Sequence, residues 1–143
     1  MKKTFALFCT MLLVAGAYAF VVNEKVLRTF NQTFASAEDV KWEEYKTFYT
    51  VSFVHAGIRS KVTYDKDGTM MNSLRYYKPN MLPLNVLSVL KNSYPKKNLF
   101  GVTEVSTGAQ VFYYVKMYDD KNWITVKVDG VGNTEVYEKY KKA

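Results

Sequence analysis

The chain has 143 residues, 48% of them hydrophobic and 16% aromatic, and it carries one histidine and one cysteine. That length fits one domain with a real core, and so few His and Cys side chains leave no set for a cysteine zinc site or a nucleophile–base pair. The 20 Lys and Arg against 13 Asp and Glu give a formal charge of +7, which suits an acidic partner, an anionic surface or simple solubility without choosing among them.

Met1, Lys2 and Lys3 precede an apolar run from Phe5 to Ala15 and then Gly16-Ala17-Tyr18-Ala19. A run of about ten apolar residues, at about 1.5 Å each, is too short for a bilayer and has the length of a signal-peptide core. Ala17 and Ala19 bracket Tyr18 in the small-x-small pattern of a signal peptidase site. Residues 1–19 are therefore expected to be a cleaved export signal and residues 20–143 one domain, periplasmic or secreted. A retained membrane anchor is the alternative. A lipoprotein fits poorly, because Cys9 follows Phe8 inside the apolar run with no small residue before it. Cleavage removes Lys2 and Lys3, lowers the formal charge from +7 to +5, and removes the one cysteine. The exported chain would then hold its fold by packing, without disulfides or Cys ligands. It would have no transmembrane segment, and nucleic acid is not an expected partner.

Beyond Phe20 the spacing of Val26, Leu27, Phe30 and Phe34 predicts an amphipathic helix over residues 24–35. Apolar–polar alternation then predicts strands over 40–45, 47–55, 58–64 and 69–77. His55-Ala56-Gly57 and Asp65-Lys66-Asp67-Gly68 supply turn chemistry between them. Lys78-Pro79-Asn80-Met81-Leu82-Pro83 is a link too short and too apolar to be flexible. Val86, Leu87, Leu90 and Tyr94 predict a second helix over 84–94, followed by strands over 99–106, 109–118, 123–128 and 134–140. Turns are expected at Thr107-Gly108 and Asp129-Gly130, with glycine supplying positive φ.

The two halves repeat. Every apolar helix position recurs 60 residues on, and so do Glu44 with Glu104, Val51 with Val111 and Phe53 with Tyr113. A longer turn at Tyr118-Asp119-Asp120-Lys121-Asn122 then moves the offset to 64, pairing Val62, Tyr64, Asp65 and Gly68 with Val126, Val128, Asp129 and Gly132. The expected fold is α+β: a tandem duplication of a helix plus a four-stranded antiparallel meander, about residues 24–77 and 83–140. The two copies form one continuous sheet with both helices on one face.

Asp39-Val40-Lys41-Trp42-Glu43 entering a strand, and Val62-Thr63-Tyr64-Asp65-Lys66-Asp67-Gly68 closing another, resemble the PepSY-like, β-lactamase-inhibitor-like proteins of Bacteroidetes. Leu82-Pro83 and Val126-Lys127-Val128-Asp129 repeat that grammar in the second half. The resemblance covers about residues 24–140 and implies two tandem helix-plus-antiparallel-sheet units. Its motifs are structural, so it transfers no functional residue. It does suggest an inhibitor or regulator of an envelope enzyme.

No catalytic constellation is visible and no cofactor is expected. His55 stands alone at a predicted strand end, and the glycine of Asp65-Lys66-Asp67-Gly68 falls at position 4, where a calcium loop needs it at position 6. Carboxylates that meet only in space keep a weak hydrolase open as a third class. The sheet face opposite the helices is more informative. Alternation places Arg59, Lys61, Phe112, Tyr114, Lys116, Tyr118, Trp123 and Lys127 on it. Aromatics interleaved with cations offer contact area at low entropic cost and charge complementarity. They equally suit cross-strand stabilisation of an exposed face kept soluble by lysines. Held to binding, the chain is an exported non-enzymatic protein that grips an envelope protein or peptide, with Tyr114 and Trp123 as the expected hot spot. The alternative ligand is a glycan, an anionic envelope surface or a small molecule.

Overall fold

A computed structural model describes residues 21–143; the expected export signal lies outside the described residues. Helix α1 (Glu24–Thr33) leads into strands β1 (Glu38–Glu44), β2 (Phe48–His55), β3 (Ile58–Asp65) and β4 (Met70–Tyr77). A short 3-10 turn, Pro79–Met81, carries the chain into α2 (Leu84–Ser93), β5 (Asn98–Thr107), β6 (Gln110–Tyr118), β7 (Asn122–Asp129) and β8 (Thr134–Lys141). The eight strands form one antiparallel sheet in the order β1 to β8, so every strand pairs with its neighbour in sequence. This is the expected α+β architecture, with the helix–meander unit occurring twice.

The repetition reaches the backbone. Each helix ends one residue before a cap in nearly the same conformation, Phe34 at φ −128°, ψ 54° and Tyr94 at φ −131°, ψ 56°. Each cap amide returns to the carbonyl four residues back, at Phe30 and Leu90. The N-termini differ: the Asn23 side chain accepts a hydrogen bond from the Lys25 amide, whereas α2 begins after Pro83 with no side-chain cap. Gly68 and Gly132, at φ +91° and +100°, lie against equivalent helix positions, Thr29 and Val89. Asp65 and Asp129 close those two turns by accepting hydrogen bonds from downstream amides, Thr69 in the first and Gly132 in the second.

Directly paired residues in an antiparallel ladder share a face, so the register fixes which side each residue occupies. Val51 pairs with Val62, Val62 with Ser73, Ser73 with Ser106 and Ser106 with Val111, which carries one face from β2 to β6. The helices cover that face. Val26 and Phe30 pack with Val51, Phe53, Val62 and Tyr64. Val86 and Leu90 pack with Val115, Met117, Val126 and Val128. The two apolar clusters are separate. Between them Ser60, Ser73, Arg75, Glu104 and Ser106 form a polar seam on the same face. There the Glu104 carboxylate accepts hydrogen bonds from Arg75 at 3.1 Å and from the Tyr77 hydroxyl at 2.6 Å. Burial and that acceptor hold the Tyr77 hydroxyl well above the ordinary tyrosine range.

Three details differ from the sequence expectation. Strand β1 starts at Glu38 and carries an irregularity between Glu38 and Lys41, with Asp39 at φ +53°. The helices stop at Thr33 and Ser93, because the caps at Phe34 and Tyr94 leave helical geometry while their rings still pack on the core. The positive φ of the last turn belongs to Gly132 rather than to Gly130, since Asp129 organises a longer loop around its carboxylate. Among the described residues no helix is long and apolar enough to cross a membrane.

Candidate partner-binding face

The face without helices divides into two unlike halves. Over the first repeat it carries small polar side chains, Thr50, Ser52 and Thr63, and Glu43 and Lys61 form an ion pair. Glu43 accepts hydrogen bonds from the Thr50 hydroxyl at 2.9 Å and from Lys61 at 3.4 Å. Those two hydrogen bonds hold the Glu43 carboxyl below the usual glutamate range. Lys61 is thereby drawn to the β1 edge, apart from the other residues of the expected site.

Over the second repeat the face is aromatic. Trp123 lies 5.1 Å from both Tyr118 and Phe100, ring centre to ring centre. Tyr114 meets Tyr137 edge-on at 5.0 Å. Cations sit on these rings: Lys116 over Trp123 at 5.0 Å and over Tyr140 at 5.5 Å, Lys127 over Phe112 at 4.4 Å, and Lys142 over Tyr118 at 4.3 Å. Of the eight expected residues, Tyr114, Lys116, Tyr118 and Trp123 thus gather on this half of the face with three rings outside that set, Phe100, Tyr137 and Tyr140. Phe112 and Lys127 form a neighbouring pair toward the β5–β6 turn.

Arg59 joins from the first repeat. It pairs across the ladder with Tyr76, Tyr76 with Thr103, Thr103 with Tyr114, and Tyr114 with Lys127, a single row crossing β3 to β7. The part of this row from Arg59 to Tyr114 floors a trough of about 990 Å³, within the range of ligand-sized cavities. One flank is formed by Gly57 and Ile58, and the far side by Lys116 and Thr125. Met81 and Phe100, each 50% exposed, stand in it as large apolar groups in contact with solvent. Among the described residues three cations line the trough, Arg59, Lys78 and Lys116, and no carboxylate does.

Phe100 belongs to this face because of a register shift. Strict alternation along β5 would send it to the same side as Val102. The ladder slips between Leu99 and Gly101, so Leu99 packs with the α2 core and Phe100 turns outward. A similar irregularity in β8, facing Thr125 and Val126, turns Tyr137 onto Tyr114. Gly101, directly before Val102, is the one local sign of such a slip.

A second cavity, of about 300 Å³, opens on the helix side beside the seam, lined by Phe34, His55, Ser60, Ser73 and Arg75 among others. It is a third of the volume, and its one arginine is already engaged by Glu104. The His55 ring closes its end by an edge contact with Phe34 at 5.5 Å. Among the described residues no three His, Cys, Asp or Glu side chains are grouped to hold a metal ion. The carboxylate of Asp65 is turned to its own loop, where it accepts from the Asp67 and Thr69 amides.

No family model matches the sequence, and no curated protein matches it. Solved structures of the same shape do. A BLIP-like protein of Bacteroides fragilis superposes with a TM-score of 0.66 at 15% identity, over 85% of this chain and 87% of that one. A DUF2874 family protein of Bacteroides ovatus gives 0.65 at 17%, over 85% and 89%. A protein of Bacteroides eggerthii, described as a candidate periplasmic protein, gives 0.65 at 16%, over 85% and 90%. At these identities the likeness is one of fold: two helices on an open eight-stranded sheet.

Proposed function

We propose that the chain is an exported, non-enzymatic binding protein that uses its uncovered sheet face to hold an envelope protein or peptide, acting as an inhibitor or regulator of an envelope enzyme. The observation that carries this reading is the aromatic cluster around Trp123, set beside a trough large enough to take a partner's side chains. Half-exposed aromatics that pack on one another are rigid before a partner arrives, so little side-chain entropy is lost on contact. The fold fits the reading, because one protein of this shape is described as BLIP-like and another as a candidate periplasmic protein. The PepSY-like affiliation and residence in the periplasm or outside the cell belong to the same proposal.

The test is capture from envelope extract by the purified protein beside a Tyr114→Ala/Trp123→Ala version. Both side chains lie on the uncovered face, outside the two apolar clusters, so the variant is expected to fold and to melt near the parent temperature. A protein recovered by the parent and lost from the variant supports the proposal. Equal recovery by both, or an early-melting variant, makes these rings part of the scaffold and overturns it.

A further inference from the structure

The uncovered face has a charge imbalance that the fold itself does not use. Every ion pair among the described residues that involves this face lies at its β1 edge, between Lys61 and Glu43. Among the described residues, Arg59, Lys78, Lys116, Lys127 and Lys142 take part in no ion pair. Two carboxylates of β8 come near in register, Glu135 opposite Lys127 and Glu138 opposite Thr125. Neither forms an ion pair, and neither lines the trough. The four lysines rest on aromatic faces instead, which spares their hydration and leaves their charge unneutralised.

We infer that the trough receives an acidic segment of another protein in extended conformation, lying across β3 to β7. The inference rests on the proposed binding role of this face and names the chemistry of its partner. Arg59 and Thr125 are four strands apart, roughly 19 Å at about 4.8 Å per strand, which an extended segment of about six residues would span. Arg59 and Lys116 then meet carboxylates near its two ends, and Lys78 one near the middle. Tyr76 and Tyr114 floor the path between them. Met81 and Phe100 need apolar side chains from the occupant, which an acidic polysaccharide does not carry. A flat anionic bilayer would touch the rim and leave the floor unfilled.

A labelled random copolymer of glutamate and tyrosine serves as the probe, read by fluorescence anisotropy against the purified protein. Alginate and phosphatidylglycerol vesicles are the competing polyanions. The copolymer is expected to bind, and added salt to weaken it. Arg59→Gln, Lys78→Gln and Lys116→Gln should each weaken it roughly two- to fivefold, with Lys116→Arg restoring binding. Lys91→Gln, on the exposed side of α2, should change nothing. Tighter binding of alginate or of the vesicles than of the copolymer overturns the peptide assignment. Absence of copolymer binding, or indifference to all three substitutions, overturns the charge assignment. The binding role itself fails separately: an envelope protein whose capture Trp123→Ala abolishes, while Arg59→Gln and Lys116→Gln leave it intact, refutes the acidic partner and keeps the face.

Discussion

Tyr64 heads the fully enclosed side chains of the core in volume, and its hydroxyl has no hydrogen-bonding partner among the described residues. Burial alone pushes that hydroxyl up to about 12 from the ordinary 10.0. An unsatisfied buried hydroxyl costs about 1–3 kcal/mol in desolvation. Tyr64→Phe keeps the ring's packing and removes that cost, so it should stabilise the protein by about 1 kcal/mol, seen as a later midpoint in urea. At Gly68 and Gly132 the sign reverses. Both need positive φ, which costs an alanine about 1 kcal/mol. A Cβ at Gly132 would meet only the tip of Val89 at 3.1 Å, whereas at Gly68 it would meet the Lys25 carbonyl oxygen at 3.3 Å as well as Thr29. A valine methyl can yield and a helix backbone cannot, so Gly68→Ala should destabilise more than Gly132→Ala in parallel urea melts.

The turns and ladders respond to pH in one direction. The Lys97 ammonium and two loop amides hold the Asp119 carboxyl far below the ordinary 3.8. Asp65 and Asp129 are lowered by the hydrogen bonds of their own loops, and Glu44 by Lys66. Folded values below unfolded ones mean stability that is fully present above about pH 5 and lost as pH falls through the folded values. The urea midpoint should therefore be level from about pH 5 to 8 and drop below about pH 4, and Asp119→Asn should make that drop shallower. At this scale much was legible in the sequence. The stripes of Val26, Phe30 and of Val86, Leu90 marked both helices and their 60-residue offset, because a helix repeats its buried face every three to four residues. Alternation likewise assigned Trp123 and Val126 to opposite faces. It could not place Phe100 or Tyr137, since each sits where a bulge breaks the period of two, and a bulge depends on the partner strand. Nor does spacing reveal the row from Arg59 to Tyr114, which exists only once β4 and β5 join the two repeats.

That join also sets how the molecule holds together. The two apolar clusters meet across a seam whose principal bond is the Glu104 carboxylate with Arg75 and Tyr77, and the Glu104 side chain is only 16% exposed. Glu104→Ala strands a guanidinium and a phenol and should cost about 1–3 kcal/mol. It should also loosen the coupling between repeats, so that the calorimetric enthalpy of unfolding exceeds the van't Hoff value while the parent stays two-state. A single coincident transition in the variant would show that the β4–β5 ladder alone couples the halves. The order β1 to β8 has one more consequence, for the speed of assembly. Apart from β4 and β5, which α2 separates, each strand follows its partner directly, so six of the seven pairings are hairpins that close a short loop with little entropy lost before a contact forms. Refolding from urea should accordingly outpace that of a Greek-key sheet of equal size, and a ribosome or a translocation pore could release the chain strand by strand with each new segment finding its neighbour already in place.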